Sequence, residues 1–202
     1  MFLVILLTIF VIPLVWAFTD PRTSKEKFKN FFRLKTMAFS FVEALIIATT
    51  FLSAIFFPWP NIPFSSLITV IGLIAYLLGL YLAVWAKLTM KSVWGTPAEH
   101  NIKRQNKIIQ KGPFVFSRNP IYLGFILTVL GSSLVLKSYS ILFVPFMALY
   151  FYKAVLKEEK ILAKYFGKEY LEYKRKLLQN PARYSVQNHA EARTKFPNHD
   201  AW

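Results

Sequence analysis

The stretch that decides the fold is Gly112-Pro-Phe-Val-Phe-Ser-Arg-Asn-Pro-Ile-Tyr-Leu-Gly124, a short polar, turn-forming segment that runs into an apolar span beginning at Ile121. Pro120 can occupy the first turn of a helix because it lacks an N–H donor, which puts Asn119 at the N-cap. The first amide groups of such a helix are free and favour a polar or anionic group. Taken locally, a membrane-anchoring arginine beside a capped helix explains the stretch at least as well as a ligand site does.

The composition is that of a membrane protein. The chain has 202 residues, of which 55% are hydrophobic, and a soluble domain of this size would have to expose much of that apolar surface. A net charge of +15 would suit nucleic acid, but the basic residues flank apolar runs and no recognition motif accompanies them. We therefore expect membrane lipids, and no nucleic acid, as partners. The lack of cysteine excludes disulfides, thiolate metal sites and thiol nucleophiles.

Five apolar runs predict an all-α polytopic membrane protein with about five transmembrane helices. They have, or approach, the length that crosses a bilayer core of about 30 Å, and cover approximately 2–18, 37–57, 65–86, 121–136 and 140–156. Only residues 137–139 separate the last two, so we expect a tight antiparallel helical hairpin. Gly72, Ala75 and Gly79 give the third run one smooth face for close helix contact.

The basic loops predict the topology. Lys and Arg are abundant after the first, third and fifth runs, whereas the loop after the second has none and the turn after the fourth has only Lys137. The N-terminus is therefore expected outside and the C-terminus in the cytoplasm, with 112–119 and Glu158-Glu159 on the cytoplasmic side. The first run lacks a preceding basic residue and a convincing cleavage site, so we expect an uncleaved span rather than a signal peptide.

Other polar residues are ambiguous by themselves. His100, His189 and His199 are isolated in polar segments, so we expect solvated side chains and no metal site. Glu43 lies within the second run, either as a functional group or near enough to its end to reach water. The pair Glu158-Glu159 either forms salt bridges with a nearby cation or holds a ligand.

The order of the motifs resembles the isoprenylcysteine carboxyl methyltransferase family. It is similar also to the wider set of membrane methyltransferases that includes phospholipid N-methyltransferases. The resemblance covers about residues 85–184 and rests on Ile108–Phe114, Ser117–Gly124, the apolar hairpin, Glu158-Glu159 and Tyr165–Arg175.

The resemblance implies that the C-terminal half binds S-adenosylmethionine on the cytoplasmic side and that a lipophilic or small methyl acceptor reaches it, with no metal. By position, the implied cofactor contacts are Ile108, Ile109, Phe114, Asn119, Pro120, Ile121, Tyr122, Glu158, Glu159 and Arg175. The implied catalytic residues are Arg118, Tyr122 and Glu158. The chain then divides into three N-terminal spans over 1–86, a methyltransferase-like region over 87–184 that ends in a cytoplasmic amphipathic helix, and a polar tail over 185–202.

Two positions depart from the family pattern. Asn119 stands where the family most often has histidine, and an amide cannot titrate near neutral pH, so we expect no general base there. Ala154 stands where some prenylcysteine enzymes have an arginine that meets the substrate carboxylate, which disfavours a prenylcysteine acceptor. Four basic residues precede the stretch, namely Lys103, Arg104, Lys107 and Lys111. They either raise the local positive potential beside the site or contact anionic lipid headgroups.

Two other functional classes are compatible with the sequence. A membrane reductase using NADPH is one, because sterol reductases share a related C-terminal architecture, although they normally have more spans. A non-enzymatic membrane scaffold is the other, in which the charged motifs only anchor helix ends. Binding of S-adenosylmethionine, of NADPH or of neither cofactor separates the three classes.

Overall fold

A computed structural model describes residues 2–8, 10–19, 34–57, 59–60, 65–90 and 108–179. Over these ranges the chain is helical and without strands, which confirms the predicted all-α class. The helices are α1 (Phe2–Thr8), α2 (Val11–Thr19), α3 (Leu34–Phe56), α4 (Ser65–Met90), α5 (Pro120–Leu136), α6 (Phe143–Phe166) and α7 (Lys168–Gln179). Short 3-10 helices precede α5 and α6, at Gly112–Val115 and Tyr139–Leu142. The three histidines, most of the basic group at 103–111 and the polar tail lie outside the described ranges.

Within the described ranges, two helical segments are long and apolar enough to cross a membrane, namely Ser65–Met90 and Tyr139–Phe166, the second being α6 with its preceding 3-10 turn. Many of their large apolar side chains are exposed, and Leu78 of α4 and Phe146 of α6 are 56% and 70% exposed. Such an apolar surface is suited to lipid rather than to water.

The helices differ from the sequence-based boundaries in two places. The third run was expected to end at Ala86, yet α4 continues to Met90 and buries Lys87, which is 2% exposed. The extension is stabilised because Ala86 and Met90, four residues apart, pack into one hydrophobic cluster with Tyr122. The first run contains two helices instead of one, and Pro13 stands in the first turn of α2, where a missing N–H donor is tolerated.

The most extensive helix–helix contact in the described ranges joins α4 to α5. A Cβ atom at Gly79 would lie 2.7 Å from the Gly124 carbonyl oxygen, and one at Gly124 would lie 2.8 Å from the Ala83 nitrogen. Near the other end, a Cβ at Gly72 would lie 2.7 Å from Leu134 Cβ. The predicted smooth face of α4 is therefore confirmed at Gly72 and Gly79, and it packs antiparallel against α5.

The turn between α5 and α6 is fixed by buried serine hydroxyls. Lys137 ends α5 with φ 53, and the backbone then extends at Ser138. Ser140 Oγ lies 2.8 Å from Ser133 Oγ and 2.9 Å from Ser138 Oγ, while Ser138 also hydrogen-bonds Ser53 of α3. These bonds hold three helices together at the end of the molecule opposite residues 112–119. α5 and α6 contact each other less than α4 and α5 do, and Phe151 and Met147 of α6 pack in one hydrophobic cluster with Tyr122 of α5.

The glycine contact makes a testable prediction. Gly79→Leu forces a side chain into the α5 backbone, so we expect the protein to lose about 1–3 kcal/mol of stability, the usual cost of overpacking. Thermal unfolding in detergent, followed by circular dichroism, measures the change. Ala48→Leu introduces the same side chain on the exposed side of α3, with one methyl group less of added volume, and should shift stability by less than about 0.5 kcal/mol. Equal melting temperatures for the two variants would show that the close contact is not needed.

Candidate functional site

A cavity lies beside residues 108–119, where the ends of α4, α5 and α6 meet α7. Its empty volume is about 630 Å³, which includes space that is open to solvent. Apolar side chains form much of the wall. Charged and hydrogen-bonding groups enter it from Arg118, Asn119, Tyr122 and the pair Glu158-Glu159. Both the α5 start and the charged part of α6 thus face one space.

The cavity gathers every residue that the sequence suggested except one. Its lining includes Ile108, Ile109, Phe114, Arg118, Asn119, Pro120, Ile121, Tyr122, Glu158 and Glu159. Arg175 lies exposed on α7 and is not part of this lining, whereas the adjacent Lys174 reaches Glu159. The functional roles of all these residues stay predictions.

Four lining residues were missed from sequence, namely Met90, Leu162, Tyr170 and Tyr173. Met90 was missed because α4 was expected to end one turn earlier. The other three follow a detectable signal, since Leu162 lies one turn after Glu158, and Tyr170, Tyr173 and Leu177 form a buried stripe at spacings of three and four on α7.

Tyr122 and Glu158 form the polar centre of the cavity. The Tyr122 hydroxyl donates a hydrogen bond to Glu158 Oε1. The Tyr122 ring stacks on Phe151 with a centroid distance of 4.8 Å and an interplanar angle of 15°. Phe151 and Glu158 are two turns apart on α6, so one face of that helix stacks on the Tyr122 ring and accepts the hydrogen bond from its hydroxyl. Among the described residues, Glu158 has no salt bridge.

Glu159 has different partners from those of Glu158. It forms salt bridges with Arg118 and with Lys174, whose Nζ lies 2.8 Å from Glu159 Oε2. The Glu159 and Arg118 side chains are 11% and 22% exposed. The two acids therefore differ. Glu159 forms the salt bridges that were one expected alternative, and it joins α6 to the segment before α5 and to α7. The Glu158 carboxylate lines the cavity and forms no described salt bridge.

Asn119 occupies the N-cap of α5, as the sequence predicts, and Pro120 is the first helical residue. The Asn119 side chain makes no capping hydrogen bond. The backbone instead closes the turn, with the Asn119 N–H 3.3 Å from Ser117 Oγ and its carbonyl accepting from the Leu123 N–H at 3.3 Å. The Asn119 amide therefore lies at the cavity wall without a capping role, beside the first amides of the helix.

Two tyrosines of α7 complete the cavity. Tyr173 donates a hydrogen bond from its hydroxyl to the Phe114 carbonyl oxygen at 2.7 Å, which ties α7 to the segment before α5. Burial, together with the nearby Glu159 carboxylate, raises the pKa of Tyr170 to about 12, and Arg118 opposes the shift. Tyr170 is therefore a neutral hydrogen-bonding group at physiological pH. In the described ranges no three His, Cys, Asp or Glu side chains come together as metal ligands.

Comparison with known proteins bears on the same part of the chain. The family model described as phospholipid methyltransferase matches residues 67–169, just over half of the chain. The chain belongs to the phospholipid methyltransferase family. The match runs from α4 to the start of α7, so it includes the start of α5 and both acids of α6.

A curated relative of this family member is the protein-S-isoprenylcysteine O-methyltransferase of Saccharomyces cerevisiae. The two are 29% identical over 115 residues, which cover 56% of this chain and 48% of the yeast protein. The chain thus spans about half the length of that relative. No solved structure matches the chain.

The Tyr173 hydrogen bond predicts a stability effect. Tyr173→Phe leaves the Phe114 carbonyl without its donor from α7, so the free energy of unfolding should fall by about 1–3 kcal/mol. Denaturant titration in detergent measures it. Tyr165→Phe, which removes a hydroxyl from an exposed tyrosine of α6, is the matched control and should leave the value nearly unchanged. Similar values for both variants would contradict a role for this bond.

The Tyr170 pKa predicts a pH dependence. The folded-state pKa of about 12 exceeds the value of about 10 for an unperturbed tyrosine. The stability associated with Tyr170 is therefore fully present below about pH 10 and is lost as the pH rises from about 10 through about 12. Tyr170→Phe should reduce the fall in unfolding free energy over that window, compared with the wild type. An unchanged pH profile would show that Tyr170 does not carry the shift.

Proposed function

We propose that this family member is a membrane-integral, S-adenosylmethionine-dependent methyltransferase and that the cavity holds the cofactor. The observation that carries the proposal is the cavity itself, in which residues 108–122 and the acids of α6 meet. The membership of a methyltransferase family supports this reaction over the reductase and scaffold alternatives.

The lining suits the cofactor, which has a carboxylate, a cationic ammonium, a cationic sulfonium and an aromatic base. Asn119 and the free amides at the start of α5 would bind the carboxylate, because helix N-termini attract anions. Glu158 would bind the nucleoside hydroxyls or balance the positive charge. Ile108, Ile109 and Phe114 offer apolar surface for the base. When bound, the cofactor supplies an activated methyl group.

The chain's own residues then have to align the acceptor, exclude water and handle one proton. An amine or thiol acceptor must lose its proton, and Glu158 is the carboxylate in the cavity that is not neutralised by a described salt bridge. Tyr122 orients that carboxylate through its hydrogen bond. Arg118 would act through Glu159, which it holds in place. We propose a lipophilic or small acceptor of the phospholipid amine, thiol or isoprenylcysteine carboxylate type.

We further propose the membrane arrangement expected from the sequence. Five spans would leave the N-terminus outside and the C-terminus and cavity in the cytoplasm, with α5 and α6 as a helical hairpin. The support is the alternation of basic and uncharged loops along the chain, together with the apolar surfaces of α4 and α6. An acceptor dissolved in the bilayer would then reach the cavity laterally, whereas the cofactor would enter from water.

Isothermal titration of the full chain in detergent tests the proposed activity at its first step. S-adenosylmethionine should bind saturably and NADPH should not. Absence of measurable S-adenosylmethionine binding to the wild type would overturn the proposal, and saturable NADPH binding alone would favour a reductase. Binding of neither S-adenosylmethionine nor NADPH in the same assay would favour a scaffold.

Variants of the polar centre sharpen the test. Glu158→Gln and Tyr122→Phe should each weaken binding by about tenfold or more, because a hydrogen bond to a charged group contributes about 1.5–3 kcal/mol. Glu172→Gln on the exposed side of α7 makes the same chemical change away from the cavity and should bind as the wild type does. His189→Ala should also have no effect. Equal losses in Glu158→Gln and Glu172→Gln would contradict the assigned site.

A further inference from the structure

One face of α6 has four lysines, and it lies opposite the cavity. Lys153, Lys157, Lys160 and Lys164 are all exposed. Their spacings of four, three and four residues place them within an arc of about 60° at about 100° per residue, along about 16 Å of the helix axis. We call these four residues the lysine ridge. Among the described residues, none of the four forms a salt bridge.

The charges of α6 are strictly divided between two sides. Glu158 and Glu159 point into the cavity, together with Leu162. The centre of that side is about 180° from the centre of the ridge. Because the helix keeps its acids inward, nothing on α6 neutralises the ridge, and the ridge presents a local field that favours an anionic surface.

The first half of α6 indicates which anionic surface this is. Phe146 lies on the same arc as the ridge and Leu149 lies about 20° beyond its edge, and they are 70% and 59% exposed. The arc therefore changes from exposed apolar side chains to exposed lysines as the helix proceeds. Leu156 and Ile161 border the ridge and are also exposed. A soluble acidic partner would not require the apolar half, whereas a phospholipid presents acyl chains and a phosphate headgroup in this order.

We propose that the lysine ridge is a docking surface for anionic phospholipids of the leaflet on the cavity side. Acyl chains lie against Phe146 and Leu149, and lipid phosphates lie against the ridge. The helix that bears the cavity acids on one side is thus held at the headgroup layer by its other side. The proposal concerns lipid association rather than methyl transfer, so it can fail while the proposed function holds, and the reverse.

Lipid selectivity of the full chain tests this. The protein is reconstituted in phosphatidylcholine vesicles with trace spin-labelled phosphatidylglycerol or spin-labelled phosphatidylcholine, and the motionally restricted fraction of each label gives their relative association constant. The wild type should prefer phosphatidylglycerol by about fivefold, the effect of one lysine near an anionic surface. The variant with all four ridge lysines changed to glutamine should show a clearly smaller preference. Salt at about 1 M should weaken the wild-type preference, because the screening length falls to about 3 Å.

Paired variants separate the ridge from net charge. Lys160→Gln with Lys164→Gln should lower the preference at least twofold, whereas Lys168→Gln with Lys176→Gln, two exposed lysines of α7, should not. Changing all four ridge lysines to arginine keeps the charge and should keep the preference, which excludes misfolding as the cause of a loss. An unchanged preference in the four-glutamine variant, an equal loss in both pairs, or a loss in the arginine variant would each overturn the proposal. A wild type without preference would do so too, and would leave an acidic protein as the partner to seek.

Discussion

The close contact between α4 and α5 is the constraint on which the rest of the structure depends. Glycines on both helices let the two backbones approach until any added Cβ would collide with the partner. The same proximity governs the segment before α5, since a Cβ at Gly112, where φ is +59, would lie 2.7 Å from Thr89 Oγ1 of α4. The start of α5 is therefore held against the last turns of α4, which is where the cavity begins. Substitution at these glycines would move the cavity walls as well as the helices.

A second feature is that the adjacent acids Glu158 and Glu159 have different partners. Successive residues of a helix point about 100° apart, so Glu158 and Glu159 meet different partners although both line the cavity. Glu159 forms salt bridges with Arg118 and Lys174, and so joins α6 to the segment before α5 and to α7. Glu158 meets a tyrosine hydroxyl and keeps an acceptor in the cavity. One acid stabilises the arrangement, and the other is left to interact with whatever the cavity binds.

Much of this architecture could be predicted from the sequence, for identifiable reasons. Long apolar runs, the proline after Asn119 and the small residues of α4 are local signals, and each fixed a helix, a helix start or a contact face. The predicted end of α4 was wrong by four residues. Lys87 was expected in the following loop because it is charged, whereas the structure buries it in the helix. The pairing of Arg118 with Glu159 rather than Glu158, and the contact of Tyr173 with Phe114, depend on distances between remote elements. No local pattern contains those distances.

The continuity of α6 has a mechanical consequence. The helix runs without interruption from Phe143 to Phe166, so its apolar half and its cavity half turn together. From the first turn to Glu158 the axis is about 22 Å long, and a tilt of about 5° moves that carboxylate by about 2 Å. Such a shift is large enough to break the hydrogen bond between Tyr122 and Glu158. Helix tilt responds to the thickness of the surrounding bilayer. A change in the tilt of α6 would therefore change the distance between Tyr122 and Glu158.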